Sequence, residues 1–393
     1  MKPFGRAALA HWPLDPDILY LNHGTVGVTP RRVLAVQQAL RDEMERQPSR
    51  FLLRELTAIG VGPHALPAPR LRLAAAAVAR RLSVPPESLA FVDNATSGAN
   101  AVLRSLTFGP GDEILVTDLT YGGVARTAAY VARTSGADLK VVELPFPVRD
   151  PGDVLAALEG ALTPRTRIAV LDHITSETAL VLPLAEMAAL CRGRGVPVLA
   201  DGAHAPGALP LDLPALGVDW YTGNLHKWAW SPRSSAILWA APGRERGLHP
   251  PVISWGLDQG MSPEFDLLGT RDATAHLAAP AAFDLLEEVG IDDVRAYNHA
   301  LVCEGARWLA RRWDVEWRTP ESMIGCMATL PLPARAGSDV DAARDLRDRL
   351  LREDRIEIQL HAARGRMWVR LSAQVYNEMA DVERLGDAIA ARV

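Results

Sequence analysis

Short, uninterrupted apolar runs alternate along most of the chain with longer segments whose apolar residues recur at helical spacing. Runs with the length of β-strands lie at residues 89–93, 113–117, 139–143, 168–172, 196–200, 218–222 and 235–239. Helical patterns separate them at residues 70–82, 97–107, 122–135 and 184–194. Because the apolar residues are consecutive, both faces of each strand should be covered. The pattern predicts an α/β fold with a mostly parallel, doubly wound, seven-stranded sheet.

The pattern changes after residue 290. Helical segments are predicted at residues 292–313, 340–352 and 381–392, and strands at residues 326–330, 356–360 and 367–371. This arrangement predicts a small C-terminal α+β domain. We therefore divide the chain into an N-terminal segment that lines the active site (1–30), a large domain (31–290) and a small domain (291–393).

Composition narrows the classes of function. The formal net charge of −5 does not favour nucleic acid or an anionic membrane as a partner. No apolar stretch approaches the roughly 20 residues that a membrane span needs. The three cysteines are scattered and form no CxxC pair, so we expect neither disulfides nor a metal site. These features predict a soluble cytoplasmic protein.

An aspartate and a lysine follow two of the predicted strands. Asp201 comes directly after residues 196–200, and Lys227 comes shortly after residues 218–222. Parallel sheets bind ligands at the carboxyl ends of their strands, so both side chains should lie at that edge. Taken singly, such an aspartate also suits a loop or helix cap, and a lone lysine is typical of a protein surface.

The surroundings of Lys227 favour a buried amine, because Trp228 and Trp230 follow it closely. Burial lowers the pKa of a lysine, and a neutral amine condenses with an aldehyde. A carboxylate at Asp201 would keep a pyridine nitrogen protonated, which makes the ring an electron sink. The pair therefore predicts pyridoxal 5′-phosphate (PLP), with Lys227 holding the cofactor as a Schiff base and Asp201 pairing with its ring nitrogen.

Further positions suit the same cofactor and its substrate. Residues 93–100 follow the first predicted strand and open a helix, whose N-terminus can bind a phosphate group or simply carry an ordinary N-cap. Tyr121 follows the second strand, where its ring can stack on the pyridine. The planar fork of Arg370 suits a substrate carboxylate, and a surface salt bridge is the alternative.

Together these motifs resemble those of fold-type I PLP-dependent enzymes of the class V aminotransferase family, in particular isopenicillin N epimerase-like proteins. The matching segments are LNHGTVG (21–27), DNATSGAN (93–100), DGAHAPG (201–207), GNLHKW (223–228), GTRD (269–272) and VRLSAQVYN (369–377). They extend over nearly the whole chain, and DGAHAPG combined with HKW at this spacing is the most specific part.

The resemblance implies roles for individual residues. The implied phosphate-binding positions are Ala95, Thr96, Asn224, His226 and Thr270. The implied positions around the cofactor ring are Tyr121, His173, Asp201, His204 and Lys227, and of these Lys227, Asp201 and His204 are catalytic. The implied substrate-binding positions are Asn22, His23 and Arg370, with Arg370 on the α-carboxylate. Thr270 would reach the cofactor of the partner subunit, which implies a homodimer with composite active sites.

The resemblance favours a reaction at the α-carbon of an amino-acid-type substrate, with epimerisation first. A C–S lyase that eliminates from a cysteine conjugate and an aminotransferase remain alternatives, because the fold supports all three. A cysteine desulfurase is disfavoured, since residues 356–370 lack the nucleophilic cysteine that such enzymes need. The complete set of Lys227, Asp201 and Arg370 argues against a non-catalytic PLP-fold binding protein. The absence of GxGxxG after the first strand argues against a nicotinamide enzyme.

Overall fold

The computed structural model describes residues 1–57 and 68–393. The N-terminal segment begins with a 3₁₀ helix (Arg6–His11), followed by strand β1 (Leu19–Tyr20) and helix α1 (His23–Val26). Helix α2 (Arg31–Arg46), helix α3 (Pro48–Arg50) and a π-helical turn (Phe51–Glu55) come next. In the division given above, these last three elements already belong to the large domain.

The large domain contains a sheet with strand order β2-β8-β7-β6-β5-β3-β4. Its strands are β2 (Leu89–Val92), β3 (Glu113–Thr117), β4 (Asp138–Val142), β5 (Thr166–Asp172), β6 (Val198–Asp201), β7 (Trp220–Asn224) and β8 (Ala236–Ala240). Strands β3 to β7 run parallel, whereas β8 is antiparallel to both of its neighbours. The predicted seven-stranded, mostly parallel sheet is therefore confirmed.

Helices cover both faces of this sheet. They are α4 (Arg70–Arg80), α5 (Ala95–Ser105), α6 (Gly122–Ser135), α7 (Pro151–Ala161), α8 (Leu184–Gly193), α9 (Leu213–Leu216), α10 (Met261–Asp266) and α11 (Thr274–Val289). Successive strand residues point to opposite faces. Accordingly, Leu115 and Leu171 belong to one apolar core, whereas Ile114 and Val170 belong to the other. The continuous apolar runs of the sequence are thus explained by burial on both sides.

The small domain contains an antiparallel sheet with strand order β11-β12-β9. Its elements are α12 (Ile291–Trp313), a 3₁₀ turn (Glu321–Met323), β9 (Met327–Pro331), a second 3₁₀ turn (Ala334–Ala336), α13 (Val340–Asp354), β10 (Ile356–Glu357), β11 (Gln359–Ala363), β12 (Arg366–Ser372) and α14 (Met379–Ala390). The single strand predicted at residues 356–360 is wrong, because two short strands with different partners occupy those residues.

The N-terminal segment packs on the small domain. Strand β1 pairs in parallel with β10, with Leu19 opposite Ile356. Leu19 and Leu21 belong to the same apolar cluster as Val302 and Leu371, which lie in α12 and β12. Thr25 and Val26, shortly after β1, lie beside the carboxyl ends of the large-sheet strands. In the described part of the chain, no helix has both the length and the apolar character to span a membrane.

Candidate active site

A cavity of about 1150 Å³ opens at the carboxyl ends of β5, β6 and β7. Asp172, Asp201 and Asn224 end these three strands, and the strand register places Asp172 directly beside Asp201. The small domain contributes Arg364 and Arg370 to the cavity wall. The cavity therefore lies where parallel α/β sheets bind their ligands.

Lys227 projects into this cavity from the loop that follows β7. It is 9% exposed, and its Nζ lies 3.0 Å from Nε2 of His204. Burial, with a smaller contribution from the charge of Arg370, lowers the pKa of Lys227 to about 7. Burial also lowers the pKa of His204 well below its ordinary value, so its imidazole is neutral. A large fraction of Lys227 is consequently a neutral, nucleophilic amine at neutral pH.

Asp201 lines the cavity and has one carboxylate oxygen without a hydrogen-bond partner among the described residues. Its Oδ1 accepts a hydrogen bond from the amide of Ala203 at 2.9 Å. Its Oδ2 is fully buried, and no hydrogen-bond partner reaches it from the described residues. A buried polar atom without a partner is destabilising, and burial accordingly raises the pKa of Asp201. A protonated ring nitrogen would satisfy this oxygen, so the residue fits the pyridine of PLP.

Asp172 lies beside Asp201 and was not among the residues predicted from the sequence. Its Oδ1 accepts from the amide of Tyr121 at 3.4 Å. Its Oδ2 is buried without a partner in the described chain. Burial and the neighbouring charge of Asp201 raise the pKa of Asp172 well above its ordinary value. Both carboxyl groups are therefore harder to ionise than an ordinary aspartate.

The N-termini of α5 and α6 both face the cavity, and Thr96, Ser97, Gly122 and Gly123 line it. Converging helix N-termini with hydroxyl groups suit a phosphate. A Cβ added at Gly98 would lie 2.1 Å from Oγ1 of Thr222, so α5 needs glycine there to approach β7.

The predicted phosphate-binding residues differ in whether their polar groups already have hydrogen-bond partners in the protein. Thr96 faces the cavity from the first turn of α5. The amide of Ala95 instead donates to Oδ1 of Asn224 at 2.8 Å. His226 lines the cavity while its Nδ1 lies 3.0 Å from the carbonyl of Ser235. An anion at this site would therefore meet Thr96 and the open side of Asn224 and His226, rather than the amide of Ala95.

Arg370 is 2% exposed. It donates to the carbonyl of Ser176 at 2.6 Å, to Oδ1 of Asn22 at 3.1 Å and to Oγ1 of Thr25 at 2.6 Å. Its Nε is buried without a partner among the described residues. Burial lowers its pKa to about 10, so the guanidinium stays charged at neutral pH. A buried cation held by neutral groups is no surface salt bridge, and it suits an anionic ligand.

Four predicted residues do not line the cavity, namely Asn22, His23, His173 and Thr270. Asn22 influences the cavity only indirectly, because its Oδ1 accepts a hydrogen bond from Arg370. The ring of His23 lies 2.9 Å from the hydroxyl of Tyr376 and 3.1 Å from the carbonyl of Lys227, so it supports the lysine loop from behind.

His173 and Thr270 are placed away from the cavity for different reasons. His173 follows Asp172, and side chains alternate along an extended segment, so its ring turns away and lies 3.0 Å from the hydroxyl of Tyr221. Neither His23 nor His173 lines the cavity, and their predicted contacts with the ligand stay predictions. Thr270 is exposed on a loop after α10, and its predicted role in a partner subunit stays a prediction.

None of the three cysteines lines the cavity. Cys191, Cys303 and Cys326 are all buried and free. Burial raises the pKa of Cys326 to about 12, which keeps its thiol protonated and unreactive. The geometry agrees with the sequence in disfavouring a persulfide-forming cysteine.

Comparisons with known proteins assign the chain to a family. The model of the "Aminotransferase class-V" family matches residues 69–385. A probable L-cysteine desulfhydrase from Arabidopsis thaliana, named as chloroplastic, is 33% identical over 95% of this chain and 83% of its own length. Isopenicillin N epimerase from Streptomyces clavuligerus is 34% identical over 96% of each chain. These matches confirm the predicted family.

Solved structures share the fold. The cystine C–S lyase C-DES, in complex with its product cysteine persulfide, has a TM-score of 0.77 at 23% identity, covering 98% of this chain and 99% of its own. A cysteine desulfurase from Thermococcus onnurineus NA1 has a TM-score of 0.79 at 18% identity, covering 100% of this chain and 99% of its own. The fold and the family match agree on the predicted cofactor. So does the buried Oδ2 of Asp201, which has no partner among the described residues and lies in the cavity that Lys227 lines. The chain belongs to the class V aminotransferase family and is a PLP-dependent enzyme.

Proposed function

We propose that the enzyme removes the α-proton of an amino-acid-type substrate and returns a proton with inversion, as an isopenicillin N epimerase-like enzyme. The observation that carries this proposal is the buried Lys227 amine, with Nζ 3.0 Å from His204, in a cavity that also holds Asp201 and Arg370. A base of depressed pKa, a carboxylate for the ring nitrogen and a cation for the substrate carboxylate are what chemistry at an α-carbon requires.

Each of these residues has a distinct task in the proposal. Bound PLP supplies the electron sink that makes the α-proton acidic. Arg370 holds the substrate carboxylate and so fixes which bond at the α-carbon faces Lys227. Lys227 accepts the proton at Nζ. Nε2 of the neutral His204 accepts a hydrogen bond from Nζ, which leaves the amine lone pair free. Asp201 keeps the pyridine nitrogen protonated, and Thr96, Asn224 and His226 bind the phosphate.

The coverage of the sequence alignment supports epimerisation as the first candidate. The Streptomyces clavuligerus epimerase aligns end to end with this chain, over 96% of both. The second candidate is a C–S lyase that eliminates from a cysteine-type substrate. The relatives named as L-cysteine desulfhydrases favour it, at 33% identity for the Arabidopsis thaliana protein. Such an elimination needs Lys227 and no cysteine of the enzyme, which agrees with the buried thiols.

Incubation of the PLP-loaded enzyme in deuterated water with isopenicillin N, L-cysteine and the common amino acids tests the proposal. Deuterium uptake at the α-carbon with formation of the epimer, and without release of pyruvate, sulfide or ammonia, is the expected result. Release of pyruvate and sulfide from L-cysteine would instead establish the lyase. Absence of exchange and of product with every compound would contradict both. Arg366 lies on β12, the strand that carries Arg370, but does not line the cavity. The Arg366→Lys variant is therefore a matched control for loss of enzyme activity during handling.

We further propose a homodimer in which Thr270 of the partner subunit reaches the cofactor phosphate. An apolar stretch before α10 supports this arrangement. Val252, Ile253, Trp255 and Leu257 are exposed there, with Trp255 at 80%. Contiguous exposed apolar side chains mark interaction surfaces. Light scattering should give twice the mass of one chain, and Trp255→Glu should give a monomer that retains PLP poorly. A monomeric wild type, or an equal effect of Tyr130→Glu at another exposed aromatic, would contradict this.

We also keep a cytoplasmic location as a proposal, supported by the composition. The name of the Arabidopsis thaliana relative places that protein in chloroplasts, so relatives occupy more than one setting. Cell fractionation followed by an immunoblot tests the point, and recovery with membranes or outside the cell would contradict it.

A further inference from the structure

A nitrogen, a sulfur and an oxygen donor converge on the small domain, away from the catalytic cavity. His299 and Cys303 lie one turn apart on α12, and Glu321 begins the neighbouring 3₁₀ turn. Residues four apart lie on the same face of a helix, so both α12 side chains point at this turn. None of the three lines the catalytic cavity. The sequence patterns did not indicate this group, because Glu321 lies outside α12 and the helix carries no CxxC or HxxxH pattern.

The spacing of the donor atoms matches a tetrahedral metal site. Sγ of Cys303 lies 3.7 Å from Nε2 of His299, and Nε2 lies 3.5 Å from Oε1 of Glu321. One ligand atom from each residue lies within 4.8 Å of the other two. With Zn–S near 2.3 Å and Zn–N near 2.0 Å, ligand atoms of tetrahedral zinc are roughly 3.5 Å apart. Two of the three donor pairs therefore already lie close to the spacing that a tetrahedral ion imposes.

The carboxylate of Glu321 is held in an orientation that suits this role. Arg307, one further turn along α12, donates a hydrogen bond to Oε2 of Glu321. The other oxygen, Oε1, is left facing His299. Metal-binding carboxylates and imidazoles are commonly fixed by such outer hydrogen bonds, which set the direction of the ligand atom.

Exposure and donor chemistry indicate the kind of cation. The side chains of His299 and Glu321 are 35% and 58% exposed, whereas Cys303 is 2% exposed. An ion can thus arrive from solvent and meet a thiol at the inner end of the site. Thiolate and imidazole select Zn²⁺ and similar cations, whereas Mg²⁺ and Ca²⁺ prefer oxygen alone. Three protein ligands leave a fourth position for water.

We propose that His299, Cys303 and Glu321 bind Zn²⁺ or a cation of the same class, which fixes the 3₁₀ turn against α12. On binding, Cys303 releases its proton to solvent and coordinates as thiolate. The turn also reaches the active site, because the carbonyl of Met323 accepts from the amide of Val181 at 2.9 Å. Val181 pairs with Ile174, which lines the catalytic cavity. An ion would therefore brace one wall of that cavity.

The test measures zinc bound per chain. PLP-loaded enzyme is stripped with a chelator and dialysed against micromolar Zn²⁺, and bound zinc is determined by atomic emission. We expect one Zn²⁺ per chain in the wild type. Affinity should fall by more than about tenfold in His299→Ala and Cys303→Ser, and by about tenfold in Arg307→Gln, which leaves the ligands in place. Zn²⁺ should also raise the unfolding temperature of the wild type and leave that of His299→Ala unchanged.

Two control variants separate this site from ordinary side-chain pairs. Cys191→Ser removes a buried thiol elsewhere, and His249→Ala removes a 35% exposed histidine that pairs with Glu264 without a cysteine. Both should keep wild-type zinc binding. Equal zinc binding by His299→Ala and wild type, or none by wild type, would overturn the proposal. His299 is partly exposed, so its variant decides the question even if Cys303→Ser fails to fold.

Discussion

Replacement of Arg370 by lysine tests how the enzyme holds the substrate carboxylate. The guanidinium already donates to Ser176, Asn22 and Thr25, and its Nε has no partner in the described chain. An ammonium group has three donors and lacks the planar fork, so it cannot keep these contacts and also bind the substrate. Loss of one hydrogen bond to a charged group removes about 1.5–3 kcal/mol, which corresponds to roughly a 10- to 150-fold fall in kcat/KM.

The assay is steady-state α-deuterium exchange with the amino acid that the substrate panel identifies. Because the lost contact serves the ground state and the transition state alike, most of the change should appear in KM. The visible absorbance of bound PLP should not change, since Arg370 is proposed to contact the substrate and not the cofactor. Arg366→Lys on the same strand should retain wild-type kinetics. A kcat/KM within about twofold of wild type, or a loss confined to kcat, would refute the assignment.

Two further predictions concern the amine and the packing beneath it. Burial lowers the pKa of Lys227 to about 7, so PLP uptake by the cofactor-free enzyme should rise roughly tenfold between about pH 6 and pH 8 and then level off. A rate that still climbs above about pH 9 would show an ordinary lysine. Gly98→Ala would place Cβ 2.1 Å from Oγ1 of Thr222, so unfolding should become easier by about 1–3 kcal/mol. Gly160→Ala in α7 meets open space and should not destabilise the protein, and equal effects in thermal unfolding would contradict the packing argument.

The large sheet could be predicted because burial on both faces leaves a plain trace in the sequence. The bounds of β3 and α6 agree with the predicted segments 113–117 and 122–135. The direction of a strand could not be predicted in this way, because β8 is antiparallel and yet as apolar as its neighbours. The pairing of β1 with β10 was also not visible, because two residues are too short to form a pattern.

Site residues could be predicted where a sequence motif lies at the end of a strand. They were harder to predict where the position of a side chain depends on the adjacent strand. Lys227, Asp201, His204 and Arg370 all face the cavity. Asp172 was missed in favour of His173, although it ends its strand as Asp201 does. The alternation of side chains along the strand, combined with the parallel register of the two aspartates, was the available signal.

The proposed metal site of His299, Cys303 and Glu321 could not be predicted from the sequence for a related reason. His299 and Cys303 share a helix face, which spacing alone can show, but only the fold brings Glu321 to them. The spacing of residues in a sequence can identify ligand residues within one helix or strand. It does not determine which helices and strands contact each other. The same limit applies to His23, whose contacts with Tyr376 and the Lys227 carbonyl depend on how the N-terminal segment packs.

The attachment of PLP to Lys227 is the central claim, and borohydride reduction followed by peptide mass spectrometry tests it most directly. Reduction should abolish the visible absorbance band and leave the cofactor mass on the peptide containing Lys227. Lys227→Ala should lack both the band and the mass. Cofactor on a different lysine, or the same lysine-dependent band in Lys227→Ala, would contradict the account.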